Sequence, residues 1–189
     1  MRWPILIILL GAVFLSQPCH ASGLGDLQDW YSAATQDLSN VYNNGSPTLL
    51  VPVYTWHDPG TYSEAALAKF NDIPLGLGWG KSIMDTDGNS EMVSGMVFAD
   101  SGDNAEPVIS YTKQWLWRPF ATNFNVGGGY TAGITARSDI GHYFPVPFIL
   151  PAASICYDAL ILNITFLPEI KNLTPNTGNV VLFTFSKTY

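Results

Sequence analysis

Val181-Leu182-Phe183-Thr184-Phe185-Ser186-Lys187-Thr188-Tyr189 closes the chain, and its period is two. Large side chains at Phe183, Phe185 and Tyr189 alternate with the small polar Thr184, Ser186 and Thr188. Such alternation places successive side chains on opposite faces of an extended strand. A final strand of this kind, ending on an aromatic residue, is typical of bacterial outer-membrane barrels.

Seven further runs read the same way: Thr48–His57, Pro74–Asp85, Ser90–Ser101, Glu106–Arg118, Asn123–Arg137, Phe144–Tyr157 and Ala159–Pro168, with Asn179–Tyr189 as the eighth. Each is about the ~9–11 residues a tilted membrane strand needs. Composition supports a membrane setting. Charged residues are 12% of the chain and hydrophobic residues 47%, against about 25% charged in a soluble domain. Past the N-terminal segment no apolar stretch approaches the ~20 residues of a spanning helix. High apolar content without a helical span leaves a large buried core or a closed barrel in lipid. A soluble lipocalin-like barrel also has eight up-and-down strands, but it is expected to carry a more charged exterior. The formal net charge of −7 argues against a nucleic-acid partner, which needs a basic footprint.

The connections alternate in character. Thr86-Asp87-Gly88-Asn89, Pro119–Thr122 and the joint at Asp158 are short, whereas Asp58–Ile73, Ser138–Tyr143 and Glu169–Gly178 are longer and more polar. Short turns on one side and long loops on the other is the asymmetry of outer-membrane barrels. Met1-Arg2, the apolar Ile5–Leu15 and Cys19-His20-Ala21 read as a secretory signal peptide, residues 1–21. The exported chain, 22–189, is then a single domain: an amphipathic helix within 22–46 and a barrel over 48–189. Cleavage would leave Cys156 as its one cysteine, with no disulfide possible. The helix is read over Gly25–Asn43, from the spacing of Leu27, Trp30, Tyr31, Ala34, Leu38 and Val41, with Asp26 as its cap. It would lie at the membrane surface or cover the barrel.

An exported N-terminus begins in the periplasm, so odd runs finish at the outer surface. His57 ends the first run and Asp100-Ser101 the third, which puts a base, a carboxylate and a hydroxyl on one extracellular rim. Acyl transfer needs such groups: a nucleophile, a base and stabilisation of the oxyanion. His142 also falls on an outer loop. Ser101 can serve as an acyl-accepting nucleophile, or as a donor while His57 activates an acceptor hydroxyl directly. In a fully extended strand end Asp100 and Ser101 point to opposite sides. A simple Ser-His-Asp relay through Asp100 therefore needs a bend there. No Cys/His cluster has metal-ligand spacing, and no cofactor is expected.

Gly76, Gly78 and Gly80 alternate, as do Gly127 and Gly129. No strand-turn-helix context supports a nucleotide loop; small residues on one strand face suit a barrel interior with room for one slim ligand, the alternative being that they only let the strand bend. Pro52 and Pro74 belong to adjacent runs, as do Pro151 and Pro168. Proline cannot donate a ladder hydrogen bond, so each pair predicts a gap in the wall through which lipid could enter.

Thr55-Trp56-His57, Asp85–Asn89, Phe98–Ser101, Glu106-Pro107, Trp117-Arg118-Pro119, Thr131–Arg137 and Pro145–Ser154 together resemble the PagP-type lipid A palmitoyltransferases of Gram-negative outer membranes. The resemblance covers nearly the whole exported chain. It implies an all-β fold, an eight-stranded antiparallel transmembrane barrel preceded by an amphipathic helix. The implied reaction moves a palmitoyl-like chain from a glycerophospholipid donor to a hydroxyl on an acyl chain of lipid A, in the outer membrane, by a monomer with its active site facing outward. It implies catalytic roles for His57, Asp100 and Ser101, and lateral lipid gates at Pro52, Pro74, Pro151 and Pro168. Arg137, with an aromatic partner near Tyr42, is implied to hold the helix against the barrel. The family's type protein has glycine at the floor of the acyl pocket where this chain has Thr112, so either a shorter bore with an altered acyl length is expected, or a floor rebuilt by neighbours such as Ser110. Trp115-Leu116 is a second departure. The alternative is a non-enzymatic outer-membrane barrel for adhesion or membrane integrity.

Overall fold

The computed structural model describes residues 23–85, 87–118, 123–170 and 178–189; the expected leader, 1–21, lies outside them. Helix α1 (Gly23–Asn44) precedes eight strands: β1 (Ser46–His57), β2 (Gly76–Met84), β3 (Ser90–Ala99), β4 (Ala105–Trp117), β5 (Phe124–Thr135), β6 (Val146–Tyr157), β7 (Leu160–Leu167) and β8 (Val180–Thr188). A single turn, α2 (Glu64–Leu67), sits in the β1–β2 loop. Each strand pairs antiparallel with its sequence neighbours, and β8 returns to β1, closing the barrel. Closure gives most of the strand backbone partners on both sides, which a lipid setting demands. The alternation of the last strand is borne out: Thr184 and Ser186 are buried inside, while Phe185 and Tyr189 are exposed outside.

The outer wall is apolar. Leu77, Trp79, Val97, Ile109, Ile134 and Ile155 are all exposed on it. Exposed Trp115, Trp117, Tyr157 and Tyr189 gather at the end carrying the short turns, as an aromatic girdle does at a membrane interface. Trp115 thus belongs to that belt, and Leu116 turns inward against the space that Gly127 leaves open. No helix among the described residues is long and apolar enough to cross a membrane, a fact that says nothing of spanning strands.

Of the two readings of the glycine stripe in β2, bending fits better than open interior space. Gly76, Gly78 and Gly80 do face inward, but side chains of the next strand occupy their space. A Cβ on Gly76 would collide with Phe98, and one on Gly78 would sit 2.9 Å from the Met96 Cβ. The glycines therefore let β2 and β3 coil tightly and fold Met96 and Phe98 over β2.

Among the described residues helix α1 runs from Gly23, so Asp26 lies inside it and not at its cap. The helix rests on the outside of the barrel against β2 and β3 at the short-turn end, with Val41 fully buried beneath it. Lys81 Nζ donates to the Tyr42 carbonyl at 2.6 Å and lies 5.4 Å from the Tyr42 ring centroid. Lys113 Nζ pairs with buried Glu91 at 2.7 Å and reaches Asp37 of the helix at 3.5 Å. Tyr42 is thus an anchoring aromatic, but Arg137 is not its cation. Arg137 lies past β5 at the opposite, long-loop end, where it binds Asp139 at 3.0 Å and Glu106 at 3.5 Å.

Two wall gaps open at the long-loop end. The β1–β2 register stops at Leu50↔Gly78, although β1 continues to His57. Pro52 follows directly, and the β1–β8 register shifts between Pro52 and Tyr54. The β6–β7 register stops at Ala152↔Thr165, although β6 begins at Val146. Pro151 is the next residue along β6, and Pro168 follows the last residue of β7. Pro74, fully buried, precedes β2. At each gap a proline stands where a ladder donor is missing.

Candidate functional site

His57 is the last residue of β1, and its side chain is buried at the long-loop rim. Strand β3 ends at Ala99, and the chain bends into a turn at once. Asp100 builds that turn: its Oδ1 accepts from the N–H groups of Gly102 and Asn104 at 2.8 and 2.9 Å, and its backbone N–H donates to the Asn104 carbonyl at 2.7 Å. The bend swings Ser101 inward, where its Oγ lies 2.6 Å from His57 Nε2. His57 and Ser101 are therefore in direct contact. Asp100 adjoins them through the backbone, and its carboxylate serves the turn.

The His57 ring takes its carboxylate from a residue the sequence did not single out. Asp72 Oδ1 lies 2.9 Å from His57 Nδ1. Asp72 sits in the segment 71–75, which bridges the strand ends. The Thr55 N–H donates to the Asp72 carbonyl at 2.8 Å, the Asn71 N–H to the Ser101 carbonyl at 3.0 Å, and the Ala99 N–H to the Leu75 carbonyl at 2.9 Å. Asn71 Nδ2 also donates to Asp103 at 2.6 Å. No signal in the sequence pointed to Asp72, because it lies in a polar loop without periodicity.

A carboxylate oxygen can only accept, so Nδ1 carries the hydrogen and donates to Asp72. Nε2 of the neutral ring then accepts from the Ser101 hydroxyl. This is the arrangement of a general base beside a hydroxyl nucleophile. Phe70 packs on the imidazole with centroids 4.6 Å apart, and Tyr62 meets it edge-on at 5.6 Å. Burial pushes the Tyr62 hydroxyl above its ordinary range. Asp58, next to His57, ties the β1–β2 loop to the start of β8. The Gly60 N–H and the Asn179 amide donate to its carboxylate and hold it below the usual range. His142 is exposed on the β5–β6 loop at a positive φ of 54°.

Inside the barrel, Thr112 faces inward between β3 and β5. Its Oγ1 donates to Thr131 Oγ1 at 3.0 Å, and Met92 is its register partner. Toward the short-turn end the interior turns polar: Thr48, Ser82 and Thr188 bond one another at 2.8 to 3.1 Å, and Asn163 donates to Ser186 at 2.8 Å. A small pocket there is bounded by Ser90, Met92, Thr112 and Gln114 among others. Thr112 thus lines the pocket at that polar end, with the Ser94–Ser110 hydroxyl pair on its other side.

The family model described as "Antimicrobial peptide resistance and lipid A acylation protein PagP" matches residues 37–187. A protein of Musicola paradisiaca (strain Ech703) named "Lipid A acyltransferase PagP" is 39% identical over 181 residues, which are 94% of this chain and 92% of the relative. Its namesakes in Enterobacter lignolyticus (strain SCF1) and Laribacter hongkongensis (strain HLHK9) are 35% and 41% identical. The first alignment covers 95% of this chain and 93% of the relative, the second 82% and 69%. The solved structure of the Yersinia pestis outer membrane protein Ail in a phospholipid bilayer nanodisc overlaps 77% of this chain and all of that one, at a TM-score of 0.39 and 10% identity, too slight a likeness to carry weight. A family match that reaches all eight strands, and relatives 35–41% identical over most of this chain, leave one conclusion: the chain belongs to the PagP family.

Proposed function

We propose that this protein is an outer-membrane acyltransferase that moves a fatty acyl chain from a glycerophospholipid to a hydroxyl on an acyl chain of lipid A, working in the outer leaflet with its site facing outward. The observation that carries the reading is the 2.6 Å contact between His57 Nε2 and Ser101 Oγ at the long-loop rim. The names of the relatives supply the substrate class. A purely structural barrel gives no reason for a buried base to meet a hydroxyl there.

In the first half-reaction the Ser101 hydroxyl loses its proton to His57 Nε2 as Oγ attacks the donor ester carbonyl. Collapse of the tetrahedral adduct breaks the ester C–O bond. His57 returns the proton to the leaving alkoxide, and a lysophospholipid departs. In the second half-reaction His57 takes the proton of a lipid A hydroxyl, that oxygen attacks the acyl-Ser101 carbonyl, and Ser101 leaves protonated. The turn built by Asp100 holds Ser101 in line throughout. The gaps beside Pro52 and Pro74 and beside Pro151 and Pro168 admit lipids sideways. The bore toward Thr112 receives the acyl tail. One closed barrel holds every group named, so a monomer suffices.

The test is direct. The folded barrel in detergent micelles is given a phospholipid with a labelled acyl chain together with lipid A. Transfer of label to lipid A supports the reading. Release of free fatty acid alone would make the protein a phospholipase, and no release at all would leave a non-enzymatic barrel.

A further inference from the structure

We propose that Asp72 is the positioning carboxylate of His57, completing a Ser101-His57-Asp72 relay in which Asp100 has no contact role with the imidazole; the inference rests on the acyl-transfer reading above. Three observations carry it. Asp72 Oδ1 stands 2.9 Å from Nδ1, on the ring edge opposite Ser101. The Asp100 Oδ1 is taken up by the N–H groups of its own turn. Segment 71–75 binds both sides of the site, since the Asp72 carbonyl accepts from Thr55, two residues before His57, and Asn71 donates to the Ser101 carbonyl. One short stretch therefore fixes the carboxylate relative to the base and the nucleophile together.

The chemistry follows from the hydrogen count on the ring. A neutral imidazole has one N–H and one lone pair. With the hydrogen on Nε2, the lone pair faces away from Ser101 and no proton can be taken. Asp72 accepts only, so it holds the hydrogen on Nδ1 and leaves Nε2 free for the serine. When Ser101 gives up its proton the ring becomes a cation 2.9 Å from an anion. That attraction is absent in the resting state and present in the transition state, and such differences accelerate a step. Phe70 against one ring face and Tyr62 at its edge restrict rotation. The Asp72 side chain is 49% exposed, so its effect is smaller than that of a fully buried aspartate in a hydrolytic triad.

Asp72→Asn, Asp72→Glu and His57→Ala barrels are compared with wild type for donor and acceptor kinetics. The His57 tautomer is read by 15N NMR on histidine-labelled protein, with the His57→Ala spectrum assigning the signal. Asp72→Asn is expected to lower kcat about 10- to 100-fold with KM within about twofold, and Asp72→Glu to recover part of the rate. Wild type is expected to show the Nδ1–H form, and Asp72→Asn a mixture or the reverse. An Asp72→Asn enzyme with unchanged kcat, or one that keeps the wild-type tautomer, overturns the proposal. A His57→Ala enzyme with full activity would instead overturn the acyl-transfer reading on which it rests.

Discussion

Ser101 touches His57 although their strands are not neighbours: β2 lies between β1 and β3. The contact exists because β2 stops short. It begins only at Gly76, and its register with β1 ends at Leu50↔Gly78. The missing wall therefore serves two ends. It leaves a side opening next to Pro52, and it lets the turn after β3 reach across to the end of β1. The side opening and the Ser101–His57 contact arise from one irregularity of the barrel.

If Ser101 is the nucleophile, it carries the acyl chain between half-reactions. Incubation with phospholipid and no lipid A is expected to leave a fraction of Ser101 esterified, visible by mass spectrometry of the intact barrel. Ser101→Ala is expected to lose transfer by about 10³-fold or more. A residual rate near wild type would instead assign the whole reaction to His57 acting on the lipid A hydroxyl.

Thr112 and Thr131 form a hydroxyl rung beside Met92. Thr112→Gly removes the rung and the side chain together. The acyl chain transferred to lipid A is expected to lengthen by roughly one or two methylenes, at about 1.3–1.5 Å each. Mass spectrometry of lipid A reads the change, and an unaltered acyl length would remove Thr112 from the pocket floor.

The gaps depend on absent donors. Pro52→Ala with Pro151→Ala restores two backbone N–H groups, which can extend the β1–β2 and β6–β7 ladders. Transfer is expected to slow several-fold while thermal stability stays level or rises. An unchanged rate would dissociate the prolines from lipid entry.

Lys113 links α1 to the wall through Asp37 and neutralises buried Glu91. Lys113→Met leaves the Glu91 carboxylate unpaired beneath the helix. The cost is expected at about 3 kcal/mol, the low end for breaking a buried pair because Lys113 is partly exposed, seen as a lower unfolding temperature with the activity per folded barrel unchanged. Lost activity at full stability would mean that the helix takes part in the reaction.

The strands were legible because each solves the same local problem, one face toward lipid and one toward the interior. Ser90–Ser101 was read where β3 runs Ser90–Ala99, and Phe144–Tyr157 where β6 runs Val146–Tyr157. The prolines were legible for a chemical reason, a missing N–H, and the observed registers stop beside them. Asp72 was not legible. Its value comes from a loop crossing between two strand ends, and nothing periodic marks such a crossing. Arg137 was misassigned by resemblance, although strand counting already puts the end of an odd strand at the long-loop rim, away from the helix. The glycines of β2 were placed on the correct face, yet their space is filled by Met96 and Phe98, a consequence of coiling that one strand's pattern does not reveal.

The most direct test expresses the wild-type chain, His57→Ala and Ser101→Ala in a Gram-negative host without such an activity and weighs its lipid A. Wild type is expected to add one acyl chain to lipid A, and both variants to add none while still folding into the outer membrane. Acylated lipid A from cells holding only the His57→Ala protein would contradict the account.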